Sequence, residues 1–240
     1  MMQSKQIMIV GGSHGIGLGI TRRCVAAGAH VTVVSRTPGE LGELQSAVRW
    51  ITGDVLQDVP ADGSASDWLP EVVDGFVYCP GSIQLGPVRG INLSTIRDDF
   101  ELNVLGAVKY LQLALLPLKK SSSASCVFFS TIAVAQGLPM HTSVAAAKGA
   151  LEALVRTWAA ELAPTIRVNC IAPALTDTRL AAKFLSSDVK REAMAAKYAL
   201  GRVGTIDDIA AAAEFLLGPN SSWVTGQVLH VDGGLSTVRK

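Results

Sequence analysis

Short apolar runs recur along the chain at Gln6–Val10, His30–Val34, Val48–Ile51, Gly75–Tyr78, Ser125–Phe129, Arg167–Ile171 and Gln227–Val231. Each is rich in Val or Ile and shows little alternation, the pattern of parallel strands covered on both faces. Segments with helical spacing lie between most of them, at Ile16–Ala27, Asn92–Leu116, Val144–Leu162 and Ile206–Leu217. The last follows Thr205, a suitable N-cap, and carries Asp207 and Asp208 in its first turn, where carboxylates meet the positive end of the helix dipole. Strand, helix, strand in repetition predicts an α/β fold with right-handed crossovers. The expected architecture is a doubly wound, Rossmann-like parallel sheet of about seven strands with helices on both faces. No linker rich in Gly, Ser or Pro divides the chain, so one domain over 1–240 is expected.

Composition mainly excludes. Hydrophobic residues make up 49% of the 240 positions and charged residues 17%, enough for a large core. Formal net charge is +1, and no basic cluster exceeds two residues, which argues against nucleic acid as a partner. No apolar run reaches the roughly 18 residues of a membrane span. The start, MMQSKQIMIVGG, is too short in its apolar part for a signal peptide and runs directly into a Gly turn, so it reads as a first strand of a cytoplasmic protein. Cys24, Cys79, Cys126 and Cys170 are widely spaced in apolar surroundings, with no metal-ligand spacing. They read as buried free thiols in a reducing compartment, with no metal site.

Candidate chemistry begins at Gly11-Gly12-Ser13-His14-Gly15-Ile16-Gly17, between the first strand and the first helix. Gly11 permits a tight turn, Gly15 lets backbone approach a pyrophosphate, and Gly17 allows close helix packing. The helix start adds free N–H groups and a positive dipole end. The second strand ends in Ser35 and Arg36 where an NAD binder usually places an acid; Arg36 can pair with a 2′-phosphate, which favours NADP(H) over NAD(H). His14 in the turn lies toward the same side. After the third strand, Asp54 can accept from an adenine amino group while Val55 packs on the ring.

These motifs, in order with FELNVLGA around Asn103, the strand ending Phe129-Ser130-Thr131, the helix carrying Lys148, the run Ile166–Pro173, and LGRVGTIDDIAAAAEFLLG and TGQVLHVDGG near the end, resemble the short-chain dehydrogenase/reductase family. The likeness is to its single-domain type, which includes 3-oxoacyl-carrier-protein reductases. It runs nearly end to end. The resemblance implies hydride transfer between a nicotinamide and a carbonyl or alcohol of a small substrate. It also implies a homo-oligomer, tetramer more often than dimer, with the helices from Asn92 and Val144 at one interface. A Tyr would deliver the proton, helped by a Lys; a Ser would bond the substrate oxygen, and an Asn would hold a water. Gly81, Pro173 and Thr178 would line the cofactor, Thr178 at the carboxamide.

The sequence departs from that pattern at the proton donor. Four residues before Lys148 stands Val144 in place of the Tyr, and thirteen before that stands Thr131 in place of the Ser, with Ser130 beside it. The Asn-Asn-Ala-Gly motif is Tyr78-Cys79-Pro80-Gly81, where Tyr78 reads as packing under the cofactor, and Val10 replaces a Thr that braces the Gly turn. His141, Ser143, Lys148 itself and Tyr198 are the local candidates for moving a proton; His141 has a suitable ordinary pKa. A lid over about 176–200 is expected to turn Leu180, Phe184, Leu185 and Met194 inward and Arg179, Lys183, Lys190, Arg191 and Lys197 to solvent. Three functions remain open: an atypical oxidoreductase using Thr131, Lys148, Asn103 and His141; a cofactor-binding subunit that has lost catalysis and joins an active homologue in a hetero-oligomer; and a non-redox dehydratase or isomerase.

Overall fold

The computed structural model describes residues 2–44, 46–57 and 69–239. Seven parallel strands form one sheet: β1 (Gln6–Val10), β2 (His30–Ser35), β3 (Val48–Thr52), β4 (Gly75–Tyr78), β5 (Ala124–Phe129), β6 (Ile166–Pro173) and β7 (Val228–Val231). Their order is β3-β2-β1-β4-β5-β6-β7. The helices are α1 (Gly15–Ala26), α2 (Leu93–Phe100), α3 (Gly106–Lys119), the short α4 (Ala133–Gln136), α5 (Thr142–Leu162), α6 (Asp188–Ala195) and α7 (Ile206–Leu217).

The lack of alternation in the strands has a direct cause: both faces are buried. Ile7, Ile9, Val77 and Val127 pack with Leu18 and Ile20 of α1 and Ile209 and Leu216 of α7. The alternate positions Met8, Val10, Phe76, Tyr78 and Phe128 pack with Leu111 and Leu118 of α3 and Leu151 and Val155 of α5. Burying a Leu or Ile side chain contributes about 1.5–3 kcal/mol, so both layers are needed to offset the entropy of ordering the sheet. β3 departs from the expectation of two covered faces. Arg49 and Trp50 are exposed because β3 is an edge strand, paired with β2 alone.

Two further differences bear on the site. The continuous helix expected over Asn92–Leu116 is two helices, α2 and α3, joined by a π-helical turn at Glu101–Leu105 that carries Asn103. Such a turn widens the helix by one residue and often occurs at functional positions. α5 begins at Thr142, so Val144 lies in its first turn. Thr205 caps α7 as expected, with a reciprocal bond to Asp208 that completes a capping box.

Candidate active site

β1 and β4 are neighbours, yet the chain leaves them toward opposite edges of the sheet. Their last residues, Val10 and Tyr78, are paired, and the Cys79 N–H donates to Val10 O at 2.9 Å. Doubly wound sheets receive ligands in the crevice that opens at this switch point. The glycine turn lies on its rim. Gly11 has φ +78°, and a Cβ there would meet Pro80 Cδ at 3.2 Å. A Cβ on Gly17 would sit 2.1 Å from the Gly11 carbonyl oxygen, so no side chain fits. Thr21, which sequence reasoning did not single out, lies with Oγ1 3.0 Å from both Gly12 O and Gly17 O, shares its one proton between them and braces the turn in which Val10 has no hydroxyl. Its one-turn spacing from Gly17 was the available signal.

No side chain caps α1, so its first N–H groups face the crevice free of one. Ser13 Oγ lies 3.0 Å from His14 Nδ1, and the His14 ring packs beneath Gly39 of the loop after β2. Ile16 packs into the α1–α7 core layer. Ser35 donates to Thr37 O at 2.8 Å and accepts from Trp50 Nε1 at 3.0 Å, so its hydroxyl serves the loop, while Arg36 is exposed beside it. One Asp54 carboxylate oxygen accepts from the Leu56 N–H at 3.0 Å, and Val55 packs, partly buried, against the core layer under α3 and α5. Thr178 Cγ2 would stand 3.8 Å from a Cβ on Gly15, which brings the start of the 176–200 segment against the glycine turn.

Two of the catalytic-type residues, Asn103 and Lys148, meet at the loop after β4. A Cβ on Gly81 would lie 3.5 Å from Asn103 Oδ1 and 3.5 Å from Lys148 Nζ. Asn103 is fully buried; its Nδ2 donates to Asp99 O at 2.8 Å, and its Oδ1 has no hydrogen-bond partner among the described residues. Lys148 is 5% exposed, and burial lowers its pKa from 10.5 to about 8, with Cys170, Cys79 and Asp99 acting in the opposite direction. Glu152, one turn along α5, does not pair with it: Ser130 Oγ donates to Glu152 Oε1 at 2.6 Å, and Arg156 lies 4.0 Å away. That bond also separates the two hydroxyls after β5. Ser130 is buried against α5, whereas Thr131 is half-buried and its oxygen accepts only from the Ala133 N–H at 3.3 Å, leaving its proton to donate. Pro173, at the end of β6, accepts from the Ile132 N–H at 3.3 Å and fixes this loop.

The family model described as enoyl-(acyl carrier protein) reductase matches residues 10–236. The chain belongs to the short-chain dehydrogenase/reductase family. Among its relatives, the 3-oxoacyl-[acyl-carrier-protein] reductase FabG of Chlamydia muridarum is 32% identical over 98% of this chain and 99% of that protein. The 2-(S)-hydroxypropyl-CoM dehydrogenase 3 of Xanthobacter autotrophicus is 31% identical over 99% of this chain and 98% of its own. A short-chain type dehydrogenase/reductase from Mycobacterium ulcerans superposes with a TM-score of 0.90 at 31% identity, covering 99% of this chain and 91% of that one. The chain is thus an oxidoreductase of the short-chain type with dehydrogenase and reductase homologues.

Against the family pattern, Val144 is buried at 6% exposure and offers no proton. None of the three tyrosines takes over the position. Tyr78 is fully buried in the core; its hydroxyl donates to Leu102 O at 2.6 Å inside the π-helical turn, and it fits because Gly106 has no Cβ. It braces the turn that carries Asn103. Tyr110 packs against Tyr78. Tyr198 is buried with Leu185 and Val203 against Gly233. His141 stands at the start of α5 beside Gly86, and its Nδ1 is 2.7 Å from Pro139 O, a local bond within the loop. In the 176–200 segment Phe184, Leu185 and Met194 do turn inward, but Leu180 is 52% exposed, contrary to expectation. Arg191 pairs with Asp177 at 2.7 Å, and Arg179 reaches Glu40 at 3.0 Å. Sequence reasoning also missed Asp99. It lies one turn before Asn103 on the same inward face, so an acid in phase with Asn103 was the signal.

The residues present fit a nicotinamide dinucleotide. The glycine cradle and uncapped helix start suit a pyrophosphate, and the unpartnered Asn103 Oδ1 beside Lys148 Nζ offers an acceptor and a donor at the far end of the crevice.

Proposed function

We propose that this protein is an NADP(H)-dependent oxidoreductase that interconverts a small carbonyl compound and its alcohol, with Lys148 in the proton-handling role that a Tyr fills elsewhere in the family. The observation that carries this reading is the buried Lys148 ammonium beside the open acceptor of Asn103. A buried cation is costly, and its retention beside Val144 points to chemistry. The bound cofactor would supply or accept the hydride. Thr131 donates to the substrate oxygen, and Lys148, its pKa lowered by burial to about 8, holds the proton that this oxygen gains or loses, through a water on Asn103 Oδ1. Gly11–Gly17 and the start of α1 hold the pyrophosphate, and Arg36 pairs with the 2′-phosphate. Asp54 and Val55 meet the adenine, while Gly81, Pro173 and Thr178 line the nicotinamide end. The segment 176–200 closes over the substrate.

The same reading takes the chain as one domain in a cytoplasmic homo-oligomer. Exposed Leu105 and Leu116 on the α3 side support such an interface. No helix among the described residues is long and apolar enough to cross a membrane. NADPH oxidation across a panel of ketones and aldehydes tests the reading. Turnover that the substitution Lys148→Met abolishes supports it. Cofactor binding without turnover on any carbonyl, together with co-purification of an active homologue, would instead favour the subunit reading that the buried Val144 side chain suggests.

A further inference from the structure

Asp99 is a fully buried acid with no ion pair among the described residues. Its oxygens are held by hydroxyls: Ser82 Oγ donates to Oδ1, and Ser143 Oγ donates to Oδ2 at 2.5 Å. Ser143 is also 3.2 Å from Thr95 O. These partners tie Asp99 to the loop after β4, to the π-helical turn and to the start of α5. Ser82 follows Gly81, the glycine against which Lys148 Nζ and Asn103 Oδ1 rest. Ser143 precedes Val144. The Asp99 carbonyl itself receives the Asn103 side chain at 2.8 Å. Arg97, Asp98 and Glu101 on the same stretch point to solvent, so Asp99 is the one charged group of that stretch turned inward.

Two hydroxyls satisfy the oxygens of this carboxylate, and its field still favours the charged form of a cation buried nearby. The acidic groups that act on Lys148 are Cys79 on the loop after β4, Cys170 on β6 and Asp99 on α2. Burial raises both thiols, Cys170 to about 12, so neither carries charge near neutral pH. Glu152, on the same helix as Lys148, is occupied by Ser130 and faces Arg156. Of the three, Asp99 is the carboxylate, and Ser82 joins it to Gly81, where a Cβ would lie 3.5 Å from Lys148 Nζ.

We propose that Asp99 is a positioning residue for Lys148: clamped by Ser82 and Ser143, its carboxylate keeps the buried ammonium charged and seated against Gly81 and Asn103, in a site where Val144 gives no proton. The proposal rests on the proton-handling role of Lys148. It gives that role a structural basis outside the family pattern, in which an inward acid at this turn has no assigned part. Ser82, Asp99 and Ser143 act as one unit, so loss of either hydroxyl loosens the carboxylate and weakens its hold on Lys148.

Lysine selectively labelled with 13C at Cε, followed by NMR from pH 6 to 11, reads the proposal without needing turnover. The resonance missing from Lys148→Met identifies Lys148. In Asp99→Asn, which keeps the shape of the clamp, the titration midpoint of that resonance falls by about one pH unit, a tenfold change in the acid constant. Asp99→Glu restores it toward the parent value. Ser143→Ala, which leaves Asp99 in place, lowers the midpoint by a smaller step and serves if Asp99→Asn does not fold. An unmoved midpoint in folded Asp99→Asn, or in Ser143→Ala where that is the variant that folds, would overturn the proposal. The two readings separate cleanly. If Lys148→Met keeps full turnover while Asp99→Asn shifts the midpoint, the catalytic reading fails and the electrostatic one stands. If Lys148→Met is inactive and the midpoint is unmoved, Asp99 alone is refuted.

Discussion

Replacing Lys148 by Met should stabilise the fold while removing its chemistry. Lys148 is almost completely buried, and burial lowers its pKa from 10.5 to about 8. Carrying this charge from the unfolded into the folded state at neutral pH therefore costs about 3 kcal/mol, at 1.36 kcal/mol for each tenfold change. The sign follows from proton binding. Below about pH 8 both folded and unfolded chains carry the proton, and the whole penalty is present. Between about 8 and 10.5 the unfolded chain binds more protons, so stability rises with pH. By pH 10 less than about 1 kcal/mol of penalty remains. Met matches the lysine stem in length and apolar character, so packing changes little. Urea unfolding at pH 7 should show Lys148→Met more stable than the parent by about 1–3 kcal/mol, a large share of a total of roughly 5–15 kcal/mol. The advantage should shrink steadily as pH approaches 10. A variant less stable than the parent at pH 7, or a difference independent of pH, would refute the account of Lys148 as a cation kept against the stability of the fold.

Other substitutions probe the neighbouring geometry. Gly17→Ala places a methyl 2.1 Å from Gly11 O and should abolish NADPH binding, read by cofactor fluorescence. Gly106→Ala drives a Cβ into the Tyr78 hydroxyl and should strongly destabilise the fold, while the double variant Tyr78→Phe/Gly106→Ala should recover part of that loss in urea unfolding. Ser130→Ala should cost about 1–3 kcal/mol of stability by leaving Glu152 Oε1 unpaired. Thr131→Ala should leave stability within about 0.5 kcal/mol and act on turnover. Arg36→Glu should weaken NADPH binding by about tenfold or more and leave NADH binding much less affected, measured by titration calorimetry.

The parallel sheet was legible because each strand alone shows its double coverage: Ile7 and Ile9 serve one face, Met8 and Val10 the other. β3 was legible as a strand but not as an exposed edge, since sheet order is a tertiary property. The glycine turn, Asn103, Thr131, Val144 and Lys148 could be found by motif. What joins them could not. Periodicity through Asn92–Leu116 gives no sign of a π-helical turn, because the extra residue is held by Tyr78, 24 positions earlier in the chain. Spacing singled out Thr131, but that its neighbour Ser130 is occupied by Glu152 of α5 is visible only in the structure. Leu180 looked like a core residue by spacing, yet the 3-10 turn at Arg179–Phe184 rotates it to solvent. Asp99 was hidden because an acid in a helix ordinarily faces water, as its neighbours Asp98 and Glu101 do, and its two serine partners lie on the loop after β4 and on α5.

The pH dependence of carbonyl reduction by NADPH, compared between the parent and Lys148→Met, tests the central claim most directly. With Lys148 as proton holder, reduction requires its protonated form, so the rate falls as pH rises through about 8, and alcohol oxidation shows the mirror-image rise. Lys148→Met should bind NADPH yet lose turnover and that limb of the profile together. Turnover by Lys148→Met with the same pH profile as the parent would contradict the account.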